Sequence, residues 1–112
     1  MSYDVKLVNE NGEILPFSET FKEGGIQCVG GTNFCELNVT YNYGKIYGNL
    51  VKDLHQRQAK DTIGSLENFC NRWSDTKPYR DYWAPTPGNA KFAIDRLLSF
   101  ARENPDGIWE IN

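Results

Sequence analysis

Alternation opens the chain. Tyr3, Val5 and Leu7 recur at every second position, which predicts a strand over residues 3–9 with one apolar face. Glu10-Asn11-Gly12 supplies turn chemistry, and residues 13–17 are expected to return as a second strand. Residues 18–25 read as a polar connection. Residues 26–29 and 34–41 then alternate around a Gly30-Gly31-Thr32-Asn33 loop, which predicts a hairpin. In that register Ile26 and Cys28 share a face with Cys35, Leu37, Val39 and Tyr41, while Gln27, Glu36, Asn38 and Thr40 occupy the other.

The period changes after Asn42. Tyr43, Ile46, Tyr47, Leu50, Val51 and Leu54 recur at helical spacing, with Asn42 as the expected N-cap. A second helix is expected over residues 62–73, capped by Asp61, with Ile63, Leu66, Phe69, Cys70 and Trp73 inward. Gly48 and Gly64 each weigh against a helix interior by about 1 kcal/mol relative to Ala. Residues 74–88 form the longest irregular stretch and hold Pro78, Pro85 and Pro87. Asn89 is expected to cap a third helix over residues 90–103, with Phe92, Ala93, Leu97, Phe100 and Ala101 towards the core. Pro105-Asp106-Gly107 stops it, and Ile108, Trp109 and Ile111 form a last short strand. The fold class is therefore α+β. A small antiparallel sheet of N-terminal strands plus the C-terminal strand packs on about three helices in one domain, residues 1–112.

Length and charge narrow the function. A chain of 112 residues holds one core, and 13% aromatic content argues against disorder over most of it. A net charge of −3 argues against a general nucleic-acid binder, whose affinity comes from clustered Lys and Arg. No stretch approaches the roughly 20 apolar residues that cross a bilayer, and no basic region precedes an apolar run at Met1. A cytoplasmic protein is expected. Cys28 and Cys35 flank the Gly30-Gly31 loop and read as two buried thiols in a reducing compartment, with a cross-strand disulfide as the alternative. Cys70 reads as core.

Signatures of chemistry are sparse. No Gly-rich fingerprint joins a strand to a helix, and no phosphate-binding loop or nucleophile elbow occurs. His55, the single histidine, falls near the end of the first predicted helix, where it complements the helix dipole. No cofactor or metal site is expected. Two stretches instead concentrate rings, amides and hydroxyls: residues 38–44 and residues 81–89. If the irregular stretch folds across the polar side of the second strand pair, Asn38, Thr40, Asn42 and Tyr43 meet Tyr79, Asp81, Tyr82, Trp83, Thr86 and Asn89 in a ligand-binding surface. Rings supply area, and amides and hydroxyls supply direction. The start of the third helix adds backbone N–H groups suited to an anion.

These stretches also carry a resemblance. Leu37-Asn-Val-Thr-Tyr-Asn-Tyr43, Asp81-Tyr-Trp-Ala-Pro-Thr-Pro-Gly-Asn-Ala90 and Pro105-Asp-Gly-Ile-Trp109 resemble a family of small uncharacterised proteins of bacteriophage and prophage genomes, over nearly the whole chain. The resemblance implies a host cytoplasm as the setting and transfers no catalytic residue. The expected function is a non-enzymatic binding protein, of inhibitor or adaptor type, that engages a host protein or a small, nucleotide-like ligand through the polar-aromatic surface. The alternative is a small hydrolase or transferase using Asp81 with Asn38, Thr40 and a tyrosine.

Overall fold

The alternating N-terminus becomes the middle strand of a three-stranded antiparallel sheet. The computed structural model describes residues 2–18, 34–73 and 86–112. Strand β1 (Ser2–Val8) lies between β2 (Glu36–Thr40) and β3 (Ile108–Ile111). Val5 stands opposite both Leu37 and Ile111, and Leu7 opposite Trp109. The inner face, Tyr3, Val5, Leu7, Leu37, Val39 and Trp109, is buried. The outer face carries Lys6 between Glu36 and Glu110, and Asp4 beside Asn38. Opposite charges on neighbouring strands suit that placement. Three helices, α1 (Gly44–Tyr47), α2 (Ile63–Arg72) and α3 (Pro87–Glu103), complete an α+β fold among the described residues.

Three expectations change. The expected return strand over residues 13–17 is reduced to isolated bridges, Val8 to Ile14 and Pro16 to Phe34. The turn before it forms as predicted. Asn9 Oδ1 accepts from the Asn11 and Glu13 amides at 2.9 and 3.0 Å, and Gly12 takes φ +80°. Leu15 N–H then donates to the Leu7 carbonyl at 2.9 Å, and Pro16, which lacks an N–H, cannot extend a ladder. The partner strand expected over residues 26–29, with Cys28 and the Gly30-Gly31 loop, lies outside the described residues. Among the described residues β2 pairs with β1, and Tyr41 lies past its end and is 43% exposed.

The first helix is the second change. Its apolar spacing is real, since Tyr43, Tyr47, Val51 and Leu54 are all buried. The backbone is nevertheless broken. A 3-10 turn (Tyr41–Tyr43) leads into four-residue α1, and another 3-10 turn spans Lys52–Leu54. Gly48 takes φ +59°, which ends an α-helix. Thr40, not Asn42, provides the cap: its Oγ1 accepts from the Asn42 amide at 3.2 Å.

The helix starts are the third. Asp61 belongs to a 3-10 turn (Ala59–Asp61), and α2 follows Thr62 without a side-chain cap bond. The Thr62 hydroxyl turns inward, donating to the Ala59 carbonyl at 2.7 Å and accepting from Trp109 Nε1 at 2.8 Å. α3 begins at Pro87, where Thr86 Oγ1 accepts from the Asn89 amide at 3.2 Å. Proline at the first helical position needs no amide partner and fixes φ for the helix, so Thr86-Pro87 sets the start ahead of Asn89. The inner faces of α2 (Leu66, Phe69, Cys70) and α3 (Ala93, Leu97, Phe100, Ala101) close over the sheet. Among the described residues no helix is long and apolar enough to cross a membrane.

Candidate functional site

Helix α1, which follows the polar stretch after β2, meets the start of α3 at one corner of the core. Tyr47 Oη donates to the Ala90 carbonyl at 2.9 Å, and this bond is buried. The Tyr47 ring is braced edge-on by Tyr43, at 5.9 Å between centroids, and tilted against Phe69 at 5.5 Å. Aromatic contacts of this kind add a fraction of a kcal/mol to about 1.5 kcal/mol beyond area burial. The corner is thus held by rings that link α1 to α2 and by the Tyr47 hydroxyl that ties α1 to α3.

The nominated residues divide into buried and exposed. Thr40 and Asn89 are each only 2% exposed, and Tyr43 is fully buried. Thr40 and Thr86 act through their hydroxyls as caps, one for the turn and one for α3. Asn38 is half-buried opposite Asp4 on β1. Asn42 is exposed. Tyr79, Asp81, Tyr82 and Trp83 lie outside the described residues. Tyr41 was assigned to the inner face by alternation, but it projects outward with its ring edge-on to Tyr3 at 4.6 Å. The signal for this was local: a Thr two residues before Asn42 competes with the strand by capping a turn.

Two clefts lined by described residues lie elsewhere. One, of about 340 Å³, runs between Asn9, Glu10 and Leu15 on one side and Asn104 to Gly107 on the other. The second, of about 230 Å³, separates α2 from α3, with Glu67 paired to Arg102 at 2.8 Å and Lys91 to Asp95 at 3.6 Å along it. Neither is lined by a nominated residue.

The two described thiols, Cys35 and Cys70, are poorly suited to nucleophilic work. Burial pushes the Cys35 thiol up to about 12, with the nearby Glu103 charge adding to it and the Asn104 amide opposing it. Burial likewise takes Cys70 to about 12, helped by its hydrogen bond to Asp95 and by the charge there. A reactive cysteine needs the opposite environment. Among the described residues no group of three or more His, Cys, Asp or Glu side chains is placed to hold a metal ion. His55 is exposed at the end of the Lys52–Leu54 turn, and its Nδ1 accepts the Ile111 amide at 3.0 Å.

The fold and this corner define a small α+β domain with a ring-braced turn displayed beside a helix start. No family model, curated protein or solved structure matches the chain.

Proposed function

We propose that the protein is a non-enzymatic binding module that engages a partner protein through the exposed turn after β2, on the side of the fold where α1 is tied to the start of α3. The observation that carries this reading is the buried Tyr47–Ala90 hydrogen bond. It ties α1 to the distant start of α3, and Tyr41 and Asn42 are exposed on the turn that leads into α1. A ring held by its neighbour and flanked by an exposed amide is the form that interface anchors take. Small ligands favour enclosed apolar pockets, whereas this is a projecting turn, so a protein surface is the better-suited partner. In a bacteriophage setting, such as the sequence resemblance implies, that partner is a host protein.

The test is affinity capture from expressing cells followed by native mass spectrometry of the eluate. The expected result is a complex of fixed stoichiometry that the Tyr41→Ala/Asn42→Ala double variant does not form. The variant is expected to stay folded, losing about 1–2 kcal/mol with the Tyr41–Tyr3 ring contact. A complex that persists in the double variant, or a bare chain mass from both proteins, refutes the surface. A retained small molecule in place of a protein refutes the partner class.

A further inference from the structure

The outer side of β3 is closed by the chain between the Lys52–Leu54 turn and Ala59. Gln56 N–H donates to the Trp109 carbonyl at 2.9 Å, Trp109 N–H to the Arg57 carbonyl at 3.0 Å, and Ala59 N–H to the Gly107 carbonyl at 2.7 Å. At the far end of the strand a side chain takes over from the backbone. Ile111 N–H donates to His55 Nδ1 at 3.0 Å. The change falls at Gln56, whose φ of +68° makes it the one non-glycine residue in the left-handed region among the described residues. From Gln56 onward the pairing is backbone to backbone, and before it the imidazole occupies the acceptor position.

We propose that His55 is a pH-sensitive latch on this edge of the sheet. The neutral ring accepts the Ile111 amide through Nδ1. The imidazolium carries a hydrogen on both nitrogens and has no acceptor to offer, so acid releases the strand end. The ring is exposed and so meets protons directly. The charged residues on the elements that meet here are Lys52 and Asp53 on its own turn, Arg57 beyond it, Glu110 on β3, and Asp4 and Lys6 on β1. Arg57 is engaged with the Asp61 carbonyl at 3.0 Å, and Lys6 with Asp4 at 3.4 Å. Among the described residues none forms an ion pair with His55, whose other polar contact is the Gln56 side-chain amide at 3.4 Å.

Release does not detach β3. On its inner side Asp4 and Asn112 exchange two backbone hydrogen bonds, at 2.8 and 3.0 Å. What acid produces is an unpaired N–H on an otherwise intact strand edge, the group that an added strand would use. Neutral pH keeps that edge closed.

Amide hydrogen exchange on the full chain tests the latch, with rates expressed as protection relative to an unstructured amide at the same pH. Wild-type Ile111 protection is expected to fall about five- to tenfold when the solution is taken from neutral to acid, the worth of one net hydrogen bond. The Lys6 and Val8 amides in the β1–β3 ladder should hold constant. His55→Asn places Oδ1 where Nδ1 stood, and it should keep Ile111 protected throughout. Protection that stays flat in the wild type, or that falls equally in His55→Asn, overturns the proposal. Should His55→Asn fail to fold, the wild-type spectrum decides alone. The Ile111 amide shift must follow the same titration as the His55 ring nitrogens, and independent titrations overturn the latch.

Discussion

Replacing Thr62 with valine probes the deepest polar contact in the core. Thr62 and Trp109 are both fully buried. The threonine hydroxyl accepts from the indole N–H at 2.8 Å and donates to the Ala59 carbonyl at 2.7 Å. Valine keeps the shape and removes both bonds. The Ala59 carbonyl still accepts the Thr62 backbone amide at 2.9 Å, so it is not orphaned. The indole N–H loses its acceptor in a site without water access, and a buried donor left unpaired costs about 1–3 kcal/mol. About 2 kcal/mol is expected for Thr62→Val, or roughly 8 °C in Tm for a domain of this size. Urea unfolding at constant m-value measures it directly. Thr62→Ser keeps the hydroxyl and should lose less than half as much. The decisive control is a double-mutant cycle. In a Trp109→Phe background there is no indole to orphan, so Thr62→Val should become nearly neutral. A Thr62→Val loss under about 0.5 kcal/mol, or an equal loss in both backgrounds, refutes the assignment.

Three other outcomes follow from the packing. An ideal Cβ on Gly107 would stand 2.6 Å from Leu15 Cδ1 and 2.7 Å from Leu7 Cγ, so Gly107→Ala should destabilise by about 1–3 kcal/mol in the same unfolding assay. Tyr47→Phe removes the Oη bond to Ala90, whose carbonyl lies in the first turn of α3, and should lose about 1 kcal/mol without changing the far-ultraviolet spectrum. Cys35 and Cys70 are raised in the fold from their usual 9.0 to about 12. A raised acid keeps its proton longer in the folded chain, so its contribution is fully present below about pH 9 and lost as pH rises towards 12. Peptide-resolved alkylation should find both thiols protected near pH 8 in the native state and labelled after unfolding.

Much of the architecture was legible because it rests on local periodicity. The alternation of Tyr3, Val5 and Leu7, of Cys35, Leu37 and Val39, and of Trp109 with Ile111 marks the same residues that the sheet buries or half-buries. The inward faces of α2 and α3 follow the 3.6-residue period. Strand order was not legible. β1 finds both its neighbours far along the chain, and alternation says which face a residue takes but not which strand lies beside it. The helix starts were misassigned for a related reason. Asn42, Asp61 and Asn89 are all good caps in isolation, yet a threonine nearby set or preceded each start, once because Pro87 fixed the first helical position. The break in the first predicted helix turned on one backbone angle at Gly48, which apolar spacing does not encode.

The candidate surface was legible only in part. Asn38 and Thr40 alternate as read, but Thr40 is buried by its own capping role, and Tyr43 belongs to the core. Tyr41 became a surface residue because β2 stops one residue earlier than its apolar pattern. The chain of rings from Tyr43 through Tyr47 to Phe69 carried no sequence signal beyond helical spacing. Its middle member, Tyr47, is what ties α1 to the start of α3.

Backbone amide shift mapping with the captured partner bears most directly on whether this corner is where the protein makes contact. The largest changes should fall on Tyr41 and Asn42, and the double variant at these two positions should abolish them. Changes centred instead on the cleft between Asn9 and Asp106, with Tyr41 and Asn42 unmoved, would contradict the account.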